Sequence, residues 1–298
     1  MWTFRAMNTE VAVAAPELSV ASERTLARSV QQLFRDTERR FSRFLPDSEL
    51  AQLNRAARPL AVSEDLLQLL LRARSHWSMT GGIFEPAVGA AMAAFGYDRS
   101  FLPGALDRAD PPTVPAHASI SMLEIDERRH RVTRPPHVQI DFGGFLKGLT
   151  VDRAAALAPG AVIVDAGGDA VLRGAPSGAS GWTVEIEDPD VSTTTIGTIT
   201  VRDRAVATSA ANRRRWRRGD QTVHHLIDPR VDAPARTDVV QATVLAPTAE
   251  LADVMAKVAF VLGSDAAARE LEQRDLSAFL VLQGGATRTV GTLEVCRA

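Results

Sequence analysis

The sequence predicts an α+β protein with a largely antiparallel sheet and flanking helices, and three observations carry that prediction. Short β-branched runs crowd the second half of the 298 residues. Few of them are separated by the helix that a parallel crossover needs. The first half is helical in its apolar periodicity, and a proline-rich stretch separates the two kinds of sequence.

From Val20 to Phe41, Leu26, Val30, Leu33, Phe34 and Phe41 recur near helical spacing among arginines and glutamates, which predicts a long amphipathic helix. A second helix should start after Ser63, a suitable N-cap followed by Glu64 and Asp65, and stop at Gly81-Gly82. Residues 101–119 hold Pro103, Pro111, Pro112 and Pro115, so they read as a surface loop and the best internal linker. Strands are expected at Val138–Ile140, Ala161–Val164, Trp182–Ile186, Ile196–Val201 and Val239–Leu245, with later ones at Ala278–Leu282 and Thr289–Val295. Helices are expected from after Gly144 to Leu157, from Ala249 to Leu262 and, shorter, from Asp265 to Gln273.

Composition narrows the function classes. A formal charge of −2 and a pI near 6.3 give no electrostatic reason for nucleic acid or anionic membrane as the main partner. The lone cysteine, Cys296, excludes a disulfide framework or a cysteine metal cluster within one chain. No signal peptide, lipid-attachment cysteine or membrane span is read, so a cytoplasmic location is expected. Of 34 basic residues only Lys147 and Lys257 are lysines. They are either chance survivors on solvated faces or places where a compact ammonium differs from a guanidinium.

Four segments carry candidate chemistry. Ile140 to Gly148 places Asp141, Gly143-Gly144 and Lys147 after an apolar run and at the opening of a helix. Such a helix start suits a phosphate, and the same pattern also arises where a turn merely needs positive φ. Val162 to Asp169 ends in Gly167-Gly168 flanked by Asp165 and Asp169. Two Gly-Gly turns suit a diphosphate; the other reading is a tight hairpin whose aspartates satisfy turn N–H groups. Ala207-Thr208-Ser209-Ala210 precedes an arginine-rich hairpin, Arg213 to Arg218 around Trp216, which reads as a solvated surface or a docking patch. It is followed by His224 to Arg230, where a strand would put His225 and Ile227 on one face, with His225 as a base or a structural histidine. In the last segment, Ala246 to Lys257, Thr248 can cap a helix that sets Asp253 and Lys257 at i and i+4. That pair is either a helix-stabilising ion pair or, through Asp253, a hard oxygen ligand for Mg²⁺.

In this order the four segments resemble the ApbE-like family, the FAD:protein FMN transferases. Family members read D-L-G-G-I-A-K-G-Y-A-V-D where this chain has Asp141 to Asp152, and L-G-G-D where it has Ala166 to Asp169. They read A-T-S-G at Ala207 to Ala210, H-I-I-D-P-R-T-G at His225 to Asp232, and A-P-T-A-x-x-A-D-A-L-A-T-A-x-F-V-L-G at Ala246 to Gly263. Upstream, Phe41 to Leu50 and Gly82 to Gly89 also match, so the resemblance runs from about Met7 to Gly263.

The resemblance implies a T-fold-like, two-part architecture holding FAD in a cleft. Its core would be residues 1–263, with the 101–119 loop between two lobes and 264–298 completing the same domain. It implies FAD contacts at Met7, Phe44, Ile83, Phe84, Glu85, Asp141, Lys147 and Ile227, with adenine near Phe44 and Ile83 to Glu85. It implies Mg²⁺ at the Gly144 carbonyl, Asp253 and position 257, with His225 as base and Lys147 neutralising phosphate charge. The implied reaction moves FMN from FAD onto a Thr or Ser hydroxyl of an acceptor protein and releases AMP. A flavin carrier without catalysis, or a hydrolase giving FMN and AMP, are the alternatives. This sequence departs from the family at Lys257 for the metal-binding Thr, Glu85 for Asp, Ala210 for Gly and Val231-Asp232 for Thr-Gly. An ammonium has no lone pair for a metal, so Lys257 is read as supplying positive charge itself.

Overall fold

Polar–apolar alternation opens the chain and sets its first strands. In the computed structural model, which describes residues 1–101, 107–110, 112–191 and 193–297, Trp2–Ala6 (β1) and Thr9–Ala14 (β2) pair as an antiparallel hairpin. Met7 and Asn8 make its turn at φ of 48° and 59°, the left-handed geometry that matches strand twist in two-residue hairpins. The sequence reading assigned no strand here, although Val11 and Val13 alternate with Glu10 and Ala12 and are fully buried.

The main sheet continues through Val162–Ala166 (β3), Asp169–Arg173 (β4), Arg204–Ala210 (β5), Val239–Ala246 (β6), Ser277–Leu282 (β7) and Thr287–Val290 (β8). Its spatial order is its chain order, β1 to β8, and every neighbouring pair is antiparallel. Period-two alternation then sorts the side chains between two faces. Val162, Val164, Ala166 and Ala205 join Val30 and Phe34 of the helix Val20–Phe41 (α1), and Val151 and Ala154 of the helix Leu146–Ala156 (α2), in one core. Ala170, Leu172, Val206, Phe279 and Val281 point the other way, onto Ile186, Ile199 and Val201 of a small sheet. That sheet pairs Trp182–Glu187 with Thr195–Val201, and the latter with Cys296–Arg297. Each fully buried Val, Leu or Phe side chain contributes about 1.5–3 kcal/mol, and Phe34, Leu172 and Phe279 are among the large ones in these two layers.

The helices Ala249–Leu262 (α3) and Ser264–Glu272 (α4) follow β6. Thr248 caps α3 by accepting a hydrogen bond from the Leu251 amide at 3.2 Å, and Gly263 at φ 79° ends it. Gly148 of α2 is required by packing, since a Cβ there would sit 2.4 Å from the Ala249 carbonyl oxygen.

By contact the chain divides into two compact units, one of 1–36, 145–212 and 237–298, the other of 37–144 and 213–236. The second unit holds the helix Glu64–Met79, N-capped by Ser63 as its sequence predicts, and the short helices Glu49–Arg55 and Gly89–Ala94. Its core packs Met92, Phe95, Tyr97, Trp216, Val223 and Ile227. The arginine-rich segment is a hairpin of Arg215–Arg218 and Gln221–His224, with Arg215 and Arg217 exposed and Trp216 buried, its indole N–H donating to the Phe95 carbonyl at 2.8 Å. Among the described residues no helix is long and apolar enough to cross a membrane.

Three expectations of local structure need correction. Val138–Ile140 is not a strand, because the Asn54 side-chain amide takes both backbone groups of Ile140, accepting from its N–H and donating to its C=O at 2.8 Å each. The last long strand splits: Gly291, at φ 71°, ends β8 after Val290, and Cys296–Arg297 pairs elsewhere. His225 lies outside a strand, at a bend between Gln221–His224 and Ile227–Asp228, so strand alternation does not put it on one face with Ile227. Pro103 and Pro111 of the expected loop lie outside the described residues.

Candidate active site

In the first unit a two-residue turn and two helices bring four charged side chains together. Gly167 and Gly168, at φ of 62° and 96°, close the β3–β4 hairpin, and a Cβ on Gly167 would collide with Thr9. The two aspartates beside the turn divide the alternatives left open by the sequence. Asp165 accepts from the Gly168 amide at 3.0 Å and serves the turn. Asp169, only 1% exposed, forms an ion pair with Lys147 from the first turn of α2. Lys147 Nζ also donates to the Ala166 carbonyl at 2.9 Å.

The second pair lies on α3. Asp253, likewise 1% exposed, forms an ion pair with Lys257 one helical turn later, and Lys257 Nζ also donates to the Asp253 carbonyl at 3.4 Å. The other Asp253 carboxylate oxygen, Oδ2, is buried with no hydrogen-bond partner among the described residues. Burial and the nearby negative charge of Asp253 push the Asp169 carboxyl up to about 7, against the downward pull of Lys147 and Lys257. The cluster thus consists of two buried carboxylates and two lysines whose side chains keep 17% and 21% of their surface in solvent. Among the described residues no side-chain hydrogen bond caps the α2 N-terminus, a helix start compatible with an anion next to Lys147.

Asp152, which the resemblance includes in the first motif, has a structural task. Its carboxylate accepts from the Ala249 and Glu250 amides at 2.8 and 2.9 Å and so caps α3 from a neighbouring helix. Thr208 lies on β5, its hydroxyl hydrogen-bonded to that of Thr243 across the sheet at 2.9 Å. Met7 sits in the β1–β2 turn and packs on the core that holds Phe34.

In the second unit Asp141 is held by Arg43, and it accepts from the Gly143 amide. Arg43 lies over Phe44 at 4.1 Å and Tyr97 at 4.9 Å and donates to the Tyr97 carbonyl at 2.6 Å. Tyr97, the chain's one tyrosine, packs against Phe44 and Trp216, with the His225 ring edge-on at 6.4 Å. Burial raises the pKa of its phenol, whose oxygen accepts from Arg214 at 2.9 Å. Ile227 is buried in the same cluster. Glu85 is buried, its carboxylate accepting from the Ala87 and Ile120 amides at 2.8 Å each, and desolvation raises its pKa. Phe84 is buried edge-on to His76, while Ile83 keeps part of its surface in solvent. Gly144 is the last residue of this unit's longer segment, without positive φ. The adjacent His224 is the structural histidine of the pair: burial lowers its pKa, Nδ1 accepts from the Leu226 amide, and Nε2 contacts the Ala235 carbonyl. Sequence analysis did not single out Arg43 or Tyr97, and it named Asp169 only within the Gly-Gly-Asp segment, without giving it a partner.

Magnesium does not fit the donor set on α3. Lys257, a group that cannot ligate, occupies one Asp253 oxygen and stands where the resemblance puts a hydroxyl ligand, which leaves Asp253 Oδ2 as the one oxygen of that pair open to a metal.

Comparison with known proteins agrees with this architecture. The ApbE family matches residues 7–291. The FAD:protein FMN transferase of Treponema pallidum is 34% identical over 241 residues, covering 73% of this chain and 66% of that protein's length. The Haemophilus influenzae protein of the same name is 25% identical over 289 residues, covering 89% and 80%. The crystal structure of the ApbE protein from Thermotoga maritima superposes with a TM-score of 0.86 at 26% identity, over 97% of this chain and 96% of its own. With its antiparallel sheet in chain order and its motifs in the family's order, this chain belongs to the ApbE family.

Proposed function

We propose that the chain is an FAD:protein FMN transferase that moves FMN from FAD to a Thr or Ser hydroxyl of an acceptor protein. The observation that carries this reading is the paired cluster on β4, α2 and α3. Its two lysines are anchored by buried carboxylates while their side chains stay partly exposed, which suits a site for an anionic pyrophosphate. In this reading Lys147 and the open α2 N-terminus bind phosphate oxygens, and Lys257 adds a second positive charge. Phe44, Ile83, Phe84 and Glu85 form the adenine side, while Met7, Asp141 and Ile227 contact the flavin nucleotide.

The chemistry then balances as follows. The acceptor oxygen attacks the phosphorus on the FMN side and forms a new P–O bond as the bond from that phosphorus to the bridging oxygen breaks. AMP leaves with that oxygen. The hydroxyl proton passes to the His225 imidazole, the role the family resemblance gives it. Charge builds on the phosphate oxygens during transfer, and fixed cations beside them lower the barrier.

A flavin-delivery protein without catalysis is the second reading, favoured by Lys257 at the metal-ligand position. Fluorescence titration with FAD and FMN tests the binding half of the proposal. FAD should bind at least about tenfold more tightly, a difference of about 1.4 kcal/mol from the adenylate half. Equal affinities would refute the site, and AMP release in the presence of an acceptor separates transferase from carrier.

A further inference from the structure

We propose that this protein handles FAD without a divalent cation, the Lys257 ammonium standing as a tethered replacement for it. The inference rests on the flavin reading above and goes beyond it to the electrostatics of the site.

Three observations lead there. The chain uses arginine almost throughout, yet its two lysines both end on buried aspartates in one cluster. A guanidinium is broad and planar; an ammonium is compact, carries three donors and comes nearest to a small hydrated cation in size and charge density. Second, the charges already close. Asp169 and Asp253 supply at most two negative charges, and Lys147 and Lys257 supply two positive ones. A divalent ion beside Asp253 would have the Lys257 ammonium as its immediate neighbour, and the carboxylate that should attract it is already ion-paired. With threonine at position 257 the same groups would be net anionic and would offer a hydroxyl oxygen, which is what a hard cation selects. Third, the geometry holds Lys257 in place. Its tip is fixed by both the carboxylate and the main-chain carbonyl of Asp253 on the preceding turn, and part of the side chain faces solvent. One Nζ donor engages the carboxylate and a second the Asp253 carbonyl, which leaves the third available to a phosphate oxygen. Asp253 Oδ2 is buried without a hydrogen-bond donor among the described residues, and Lys257 neutralises that carboxylate from its other oxygen.

The test reads metal and flavin binding directly. The wild-type protein is titrated with MnCl₂ with and without FAD, free Mn²⁺ being followed by electron paramagnetic resonance, and with FAD in EDTA or in excess Mg²⁺. No stoichiometric Mn²⁺ binding is expected, and the FAD dissociation constant should agree within about threefold between EDTA and Mg²⁺. Lys257→Thr should bind one Mn²⁺ per chain when FAD is present, and its FAD affinity should fall about tenfold or more in EDTA and recover with Mg²⁺. Lys257→Arg keeps the charge and should bind no Mn²⁺. One Mn²⁺ per wild-type chain, or wild-type FAD affinity that rises tenfold or more with Mg²⁺, would overturn the proposal. The wild-type titrations decide even where Lys257→Thr fails to fold. FAD binding that requires metal defeats this inference and leaves the flavin reading intact, whereas no FAD binding in either condition defeats both.

Discussion

Removing the Asp152 carboxylate separates a structural from a catalytic account of the first motif. In Asp152→Ala the Ala249 and Glu250 amides lose charge-assisted acceptors at 2.8 and 2.9 Å, while the Thr248 cap on Leu251 remains. Hydrogen bonds to charged groups contribute about 1.5–3 kcal/mol each, and water regains part of that at a half-buried helix start. The carboxylate also faces the positive end of the α3 dipole, worth about 0.3–1 kcal/mol. The expected net loss is about 2–4 kcal/mol. Urea denaturation followed by circular dichroism should show the midpoint falling with an unchanged m-value, and Tm should drop roughly 5–12 °C. FAD affinity measured below the transition should change little. A loss under about 0.5 kcal/mol, or a stable protein that no longer binds FAD, would refute the capping argument.

Three further outcomes follow from the same geometry. Gly148→Ala would place a Cβ 2.4 Å from the Ala249 carbonyl oxygen and 2.8 Å from the Glu250 nitrogen, both backbone atoms, so stability should fall by about 2 kcal/mol or more in the same urea assay. His225→Ala should leave FAD binding nearly intact and slow single-turnover AMP release by about 10²- to 10⁴-fold; an unchanged rate would remove His225 from the chemistry. Asp169 has a folded-state pKa raised from 3.8 to about 7, so between those values the folded protein holds a proton that the unfolded chain has released. Its contribution to stability is therefore complete below the unfolded value and is lost as pH rises toward 7, at up to about 1.4 kcal/mol per pH unit. The stability difference between wild type and Asp169→Asn should shrink correspondingly from pH 5 to 7, and a difference flat with pH would contradict the raised pKa.

What the sequence disclosed and what it concealed divide by range. The helices at Val20–Phe41, Glu64–Met79 and Ala249–Leu262 were legible because caps and periodicity are local: Ser63 accepts from Leu66 and Thr248 from Leu251, each three residues on. The antiparallel character of the sheet was legible from the scarcity of crossover helices. The missed features depend on partners far along the chain. Asn54 replaces a strand neighbour for Ile140 from 86 residues away, and Arg43 reaches Asp141 across 98. Asp152 caps a helix 97 residues later, which no local pattern discloses. The first hairpin was missed for a different reason, since a Met-Asn turn lacks the glycine that usually marks one. At the candidate site, the motifs identified Lys147, Asp253 and Lys257. That Asp169 and Asp253 are both buried and electrostatically coupled follows only from the packing of β4 and α3.

The central claim is transfer of FMN, and a mass balance on one reaction tests it most directly. The protein is incubated with FAD and a candidate acceptor protein in EDTA and in Mg²⁺, with the acceptor analysed by intact-mass spectrometry and AMP by chromatography. The account predicts covalent FMN on a Thr or Ser of the acceptor, AMP in equal amount, and similar yields in both conditions. AMP with free FMN and an unmodified acceptor would assign a hydrolase instead, and bound FAD with no AMP across acceptors would contradict catalysis altogether.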